Sequence, residues 1–244
     1  MALPRAILFD LDETILSFGY RPALLADIAQ EFAALFDPVG PRRAAELMEA
    51  QSQIFWSDGE RHRIWRGRPL VEARRHISVQ AFAALTAEGV PNLTDELAHS
   101  FAERFHEHRE SQQRLFEGAH ETLDALKAAG VRLALVTNGT GEAQRDKIGR
   151  FDLEHRFEHI QIEGEHGFGK PEAQAYQHAL QTLGVSAQDT WMVGDNLEWE
   201  VAAPQRLGIF GIWHDPYGVG LPLGSPVRPD RIIRALPELL QPQP

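Results

Sequence analysis

Apolar residues recur in this chain at two different spacings. Short runs at Ala6 to Phe9, Val131 to Val136, Trp191 to Val193 and Ile209 to Trp213, with a weaker one at His159 to Ile162, have the length and near-continuous apolar character of buried strands. The stretches between the later runs follow a helical period instead. Ala119, Leu123 and Leu126 share one face of a helix ending before Gly130. Tyr176, Ala179, Leu180 and Leu183 mark another, which Pro171 is expected to open and Gly184 to close. Strands alternating with helices predict an α/β fold, a doubly wound parallel sheet of Rossmann-like type.

From Phe18 to Leu115 the period-2 and continuous apolar patterns disappear. Leu24, Leu25, Ile28, Phe32 and Leu35 mark one amphipathic helix, and Ala44, Leu47, Met48 and Phe55 mark a second. Leu70 to Leu85 supplies another, and so do Leu97, Phe101 and Phe105, with Pro41, Pro69 and Pro91 as punctuation. The expected division is therefore a sheet core of residues 1–17 and 115–244, interrupted by an all-helical insertion of residues 18–114.

Composition narrows the chemistry. With 35 Asp and Glu against 24 Lys and Arg, the net charge is −11, which disfavours an extended nucleic-acid polymer as partner. There is no cysteine, so thiolate metal sites, disulfides and thiol nucleophiles are excluded. The N-terminal segment has the pattern of neither a signal peptide nor a membrane span. Together these point to a soluble cytoplasmic protein with no membrane partner. They say nothing of oligomeric state.

Several of the predicted strands run into polar clusters, which topology places on one rim. Asp10 and Asp12 flank Leu11 just after the first strand. Two close carboxylates repel unless one is protonated or a cation lies between them. Oxygen ligands of this kind suit Mg²⁺, with Asp195 as the natural third acid. Thr137, Asn138 and Gly139 offer a hydroxyl, an amide and backbone N–H groups to an anion, and also suit a helix cap. Lys170, between Gly169 and Pro171, adds a positive charge. Such a set is suited to neutralising a transferring phosphoryl group.

Asp10-Leu11-Asp12-Glu13-Thr14, Thr137-Asn138, Lys170-Pro171 and Gly194-Asp195-Asn196-Leu197-Glu198-Trp199-Glu200, in this order, resemble the haloacid dehalogenase (HAD) superfamily. The helical insertion after the first motif looks like its C1-type cap (subfamily I), which would close over the site. The run from Thr137 through Gln144 and Lys147 to Phe151-Asp152 looks like the branch containing N-acylneuraminate-9-phosphatases and nucleotidases. The resemblance implies an Mg²⁺-dependent phosphatase of small phosphorylated metabolites, sugar phosphates or nucleotide monophosphates. In it Asp10 would be the nucleophile that forms an aspartyl-phosphate, and Asp12 the general acid and base. The metal would sit on the Asp10 carboxylate, the Asp12 carbonyl and Asp195. Thr137 and Lys170 would hold the phosphoryl oxygens, and Asn138 would support the substrate or a loop. Alternatives are a phosphomutase of the β-phosphoglucomutase kind, a 2-haloacid dehalogenase, in which the position of Asp12 looks like Tyr, and a non-catalytic binding protein on the same scaffold.

Two residues depart from the family pattern. Glu200 stands where an Asp is usual, which suggests a supporting position beside the metal ligands, with Glu198 as competitor. Pro204 falls inside an expected helix, where it would cost on the order of 3 kcal/mol unless the helix kinks or starts late. The densest basic stretch, Arg61 to Arg68 around Trp65, suits leaving-group recognition or a solvated face. Phe55 and Trp56 read as core. His155 with His159 and His106 with His108 are pairs that arise by chance among 11 histidines, and no zinc site is expected.

Overall fold

A computed structural model describes residues 3–57 and 64–241; of the basic stretch, Arg61, His62 and Arg63 lie outside the described residues. The first half of the chain forms β1 (Ala6–Phe9), β2 (Leu16–Ser17), α1 (Arg21–Glu31), α2 (Gly40–Ser57), α3 (Leu70–Ala87), α4 (Asp95–Ser111), β3 (Arg114–Leu115) and α5 (Ala119–Ala128). The second half forms β4 (Arg132–Thr137), α6 (Gly141–Arg150), β5 (His159–Ile162), α7 (Glu163–His166), α8 (Ala173–Leu183), β6 (Thr190–Gly194), β7 (Phe210–His214) and β8 (Arg231–Ile233). Residues 1–17 with 114–244 form one compact unit, and residues 18–113 form another.

The first unit is built on a parallel sheet of order β5-β4-β1-β6-β7-β8. β1 lies inside it with every residue fully buried, which is why its sequence is continuously apolar rather than alternating. Ala6 and Leu8 pack with Ala134 and Val136 against Ala175, Tyr176, Ala179 and Leu183 of α8. Phe9, of opposite parity, meets Phe157 edge-on at 6.3 Å between ring centroids. The sequence pattern missed β8, a short edge strand, and the two-residue β2–β3 ladder, because such lengths carry no measurable period.

Parallel register sets the rim. Phe9 is opposite Leu135 and Val193, and the Asp10 N–H donates to the Val193 carbonyl at 3.0 Å. The chain therefore leaves the sheet at Asp10, Thr137 and Gly194 on the same edge. Two helix starts differ from expectation. α8 begins at Ala173, with Pro171 ahead of it after a cis Lys170–Pro171 bond. α6 is capped by Thr140, whose hydroxyl accepts from the Ala143 N–H at 3.4 Å, and not by Thr137 or Asn138.

The second unit is helical throughout its described secondary structure. Ile28, Phe36, Met48, Phe82, Leu85 and Phe101 form its core, where the Phe36 ring lies 5.9 Å from Phe82 and 6.3 Å from Phe101. Phe55 is buried beside Trp56 and Trp65, in agreement with a core reading of that pair. Trp65 is packed on Phe55, with the Arg68 guanidinium over its ring at 5.0 Å, so intraunit contacts already occupy this indole. Among the described residues no helix is long and apolar enough to cross a membrane.

Candidate active site

At the carboxyl end of β1 three ionisable groups meet away from water. The Lys170 ammonium lies 2.5 Å from Asp10 Oδ1 and 2.8 Å from Glu200 Oε1, with Lys170 and Glu200 side chains 1% exposed. Thr14 donates its hydroxyl to Asp10 Oδ2 at 3.2 Å, which fixes the carboxylate on its other side. Burial raises the Asp10 carboxyl; Lys170 opposes this and Asp12 adds to it. Glu200 is pushed up to about 7 by burial, against the pull of Lys170. Burial would lower Lys170, but Asp10 and Glu200 outweigh it and hold the ammonium protonated.

Glu200 reaches this position because β6 ends in glycine. A Cβ on Gly194 would lie 2.0 Å from Glu200 Cγ, so only a bare backbone leaves space for the longer acid. The Asn196 N–H donates to Glu200 Oε2 at 2.7 Å. Pro204 is accommodated by a π-helical turn over Leu197–Ala202, which continues into a single α turn at Ala203–Gln205. In i→i+5 pairing the Trp199 carbonyl would look to residue 204, which has no N–H; the Tyr176 hydroxyl donates to that carbonyl instead. The expected Pro204 penalty is thus met by changing the helix type and supplying a donor from α8. Glu198 points elsewhere and pairs with Arg206 at 2.7 Å.

Asp12 is held separately from Asp10. Lys147 donates to both its oxygens at 2.9 and 2.8 Å, and Gln144 Nε2 lies 3.2 Å from Oδ2. The same amide is 2.5 Å from Thr137 Oγ1 and 2.9 Å from the Asn138 carbonyl, so Gln144 joins the ends of β1 and β4. Asn138 grips the backbone of Lys170: its Nδ2 donates to the Lys170 carbonyl at 2.7 Å, and its Oδ1 accepts from the Lys170 N–H at 2.9 Å. Gly169 allows this approach, since a Cβ there would lie 2.6 Å from Asn138 Oδ1 and 2.7 Å from Glu163 Oε1. The geometry makes Asn138 a clamp on the Lys170 loop.

Asp195 follows β6 and receives no hydrogen bond at its carboxylate among the described residues, while its carbonyl accepts from Trp213 Nε1 at 2.7 Å. Burial raises its pKa well above the ordinary carboxylate range, and Glu200, Asp10 and Glu13 raise it further against Lys170. Asp10, Asp195 and Glu200 thus confront one ammonium. An excess of oxygen donors with uncompensated charge is the donor set a small divalent cation fits.

The model of the haloacid dehalogenase-like hydrolases matches residues 4–208. The chain belongs to that family. Among curated HAD relatives, the phosphoserine phosphatase of Thermus thermophilus is 30% identical over 228 residues, covering 86% of this chain and 88% of that protein. The N-acylneuraminate-9-phosphatase of Rattus norvegicus is 36% identical over 115 residues, 46% of each chain. The HAD fold is shared with a magnesium-bound structure of the putative HAD-hydrolase YfnB from Bacillus subtilis, at a TM-score of 0.69 and 24% identity over 98% of this chain and 97% of that one.

Of the candidate site residues read from sequence, Asp10, Asp12, Thr137, Asn138, Asp195 and Glu200 end or follow the central strands β1, β4 and β6, and Lys170 comes from the loop between α7 and α8 beyond the edge strand β5. Three polar residues, Thr14, Gln144 and Lys147, were not assigned to the site in advance. Gln144 and Lys147 were noticed only as a pattern after Thr137, yet both are buried and both contact Asp12. Their spacing of three on α6 puts them on one face, a signal that a polar helix such as α6 obscures.

Proposed function

We propose that this chain is an Mg²⁺-dependent phosphatase of small phosphorylated metabolites, of the sugar-phosphate or nucleotide-monophosphate class, working through a phosphoenzyme on Asp10. The observation that carries the reading is that two carboxylates two positions apart are held by different cations, Asp10 by Lys170 and Asp12 by Lys147. Displacement at carbon needs only the first. Displacement at phosphorus also needs a group that gives a proton to the leaving oxygen and then takes one from water. The relatives reported above act, by their names, on phosphorylated small molecules, which supports the same class.

Asp10, the Asp12 carbonyl and Asp195 would hold Mg²⁺, which when bound neutralises phosphoryl charge. In the first step an Asp10 carboxylate oxygen attacks phosphorus, the bond from phosphorus to the leaving oxygen breaks, and Asp12 supplies that oxygen with a proton. In the second, Asp12 takes a proton from water, the resulting hydroxide attacks phosphorus, and the bond to Asp10 breaks to release phosphate. Thr14 and Lys170 orient Asp10; Lys147 and Gln144 orient Asp12. The Lys170 ammonium has a third N–H for a phosphoryl oxygen. Thr137 accepts from Gln144 and has only a 3.4 Å contact to the Asn138 carbonyl on its donor side, so its proton is available to a second phosphoryl oxygen.

The test is release of inorganic phosphate from p-nitrophenyl phosphate and from a panel of sugar phosphates and nucleotides. Wild type is expected to be active with Mg²⁺ and silent in EDTA, and Asp10→Asn to lose at least 10³-fold in kcat. An inert wild type, or an equally active Asp10→Asn variant, overturns the reading.

A further inference from the structure

Three histidines meet on the β5 edge of the sheet. His159 opens β5, His166 closes α7 and His178 lies in the middle of α8. Their ring centroids are 6.1 Å (159–166), 5.3 Å (159–178) and 5.2 Å (166–178) apart, and one ring nitrogen of each lies within 4.8 Å of the other two. Phe168 packs on the rings of His166 and His178. The trio has sequence separations of 7 and 12, which no short motif spans, so it was invisible to the pairs considered from sequence.

The hydrogen bonds assign the tautomers. His166 Nδ1 is 3.0 Å from the Ile162 carbonyl, which can only accept, so this nitrogen carries the hydrogen and Nε2 keeps the lone pair. His178 Nδ1 is 2.8 Å from Gln161 Oε1. The Gln161 amide cannot flip without losing its donation from Nε2 to the Ala175 carbonyl at 2.9 Å, so His178 Nδ1 is also the donor and its Nε2 is the lone-pair nitrogen. His159 Nε2 is buried with no hydrogen-bond partner among the described residues. A buried nitrogen left unsatisfied requires an explanation, and an N–H held by a carbonyl or amide oxygen is how ligating histidines are oriented.

We propose that His159, His166 and His178 form a second metal site, for a borderline divalent cation such as Zn²⁺, with a fourth position open to water or a small anion. Zinc–imidazole bonds of roughly 2.0–2.1 Å place tetrahedral nitrogens about 3.4 Å apart, so the rings close by rotation of the half-exposed His166 and His178 side chains. Imidazole ligands without a carboxylate select Zn²⁺, Co²⁺ or Ni²⁺ over Mg²⁺, which separates this site from the oxygen-lined one at Asp10. Burial lowers the His159 pKa and the His178 and His166 rings lower it further, against a hydrogen bond with Gln161, which favours a neutral ring at pH 7. The ligands come from β5, α7 and α8, the elements on either side of the loop that presents Lys170. A bound cation would cross-link the two ends of that loop.

The experiment is calorimetric titration of Zn²⁺ into the full chain in excess Mg²⁺, with Co²⁺ visible absorption as a second readout. Wild type and Asp195→Asn are each expected to take up one equivalent, with tetrahedral Co²⁺ bands. His166→Ala and His178→Ala should each weaken binding by roughly 10²-fold or more, and Gln161→Leu by about 10–100-fold through the lost orientation of His178. Circular dichroism of the metal-free variants separates loss of a ligand from loss of the fold. Uptake that is absent in wild type, unchanged in both histidine variants, or abolished by Asp195→Asn overturns the proposal. Metal uptake is read independently of catalysis, so failure here and failure of the phosphatase assay are distinguishable.

Discussion

The interhelix ion pairs of the helical unit and the buried charge cluster of the sheet unit use the same kinds of side chain in opposite ways. In the helical unit, Arg21–Glu49 links α1 to α2, Arg43–Glu88 links α2 to the end of α3, Arg75–Glu103 links α3 to α4, and Arg104–Glu31 links α4 back to α1. Apart from the half-buried Glu49 these side chains lie on the surface, over a core of phenylalanine and aliphatic side chains. Exposed pairs are screened and contribute little, so they fix helix order more than stability. In the sheet unit, Asp10, Lys170 and Glu200 are buried together, and their desolvation is offset only while all three remain. Charge in water is tolerant of change. Charge withdrawn from water is a demanding arrangement that a fold retains where chemistry uses it.

The largest test of that contrast is Lys170→Met. Removing the ammonium leaves Asp10 and Glu200 facing each other, which should cost about 3–5 kcal/mol of unfolding free energy at pH 8 in EDTA and at least 10²-fold in kcat with Mg²⁺. The stability deficit should shrink towards pH 5. In wild type Glu200 is held at about 7 by burial against the pull of Lys170; without that pull it rises further, so the variant loses more stability than wild type as pH rises above about 7, and the two approach each other below it. Urea melts at pH 5 and pH 8 measure the difference; a deficit independent of pH would show that repulsion is not its cause.

A smaller effect is expected at His214, buried under Phe116, with Nδ1 donating to the Glu13 carbonyl at 3.2 Å. Burial depresses its pKa from 6.5 to about 4, so between those values the unfolded chain binds a proton that the folded chain refuses. Stability contributed by the neutral ring is full above pH 6.5 and is lost as pH falls towards 4, by about 3 kcal/mol in all. Melts of wild type and His214→Phe across this range should converge as pH falls; parallel curves would remove His214 as the cause. The smallest effect belongs to the helical unit. Arg43→Ala, which cuts the exposed pair with Glu88, should leave the melting midpoint within experimental scatter, and a drop as large as that of Lys170→Met would erase the contrast between the units.

Much of this was legible in the chain itself. The apolar runs located five strands of the sheet to within a residue or two, because strands buried on both faces must be continuously apolar. Asp10, Asp12 and Asp195 were legible because acids directly after such strands must emerge on one rim. The duties of Gln144 and Lys147 were not. Lys147 meets Asp12 across 135 positions of sequence, and nothing local distinguishes it from a solvated lysine. Pro204 shows the reverse case: its conflict with a helix was evident, but its resolution needed Tyr176 from another element.

The sequence by itself determined which strands exist, where each ends and hence which carboxylates gather at one edge, since these follow from local period and from the direction of a parallel sheet. Tertiary structure alone decided the partners: which lysine answers which acid, that Gly194 leaves space for Glu200, and that three histidines from β5, α7 and α8 converge. Those outcomes depend on register and on angstrom-scale approach between segments far apart in the chain, and a linear pattern of residue types carries neither.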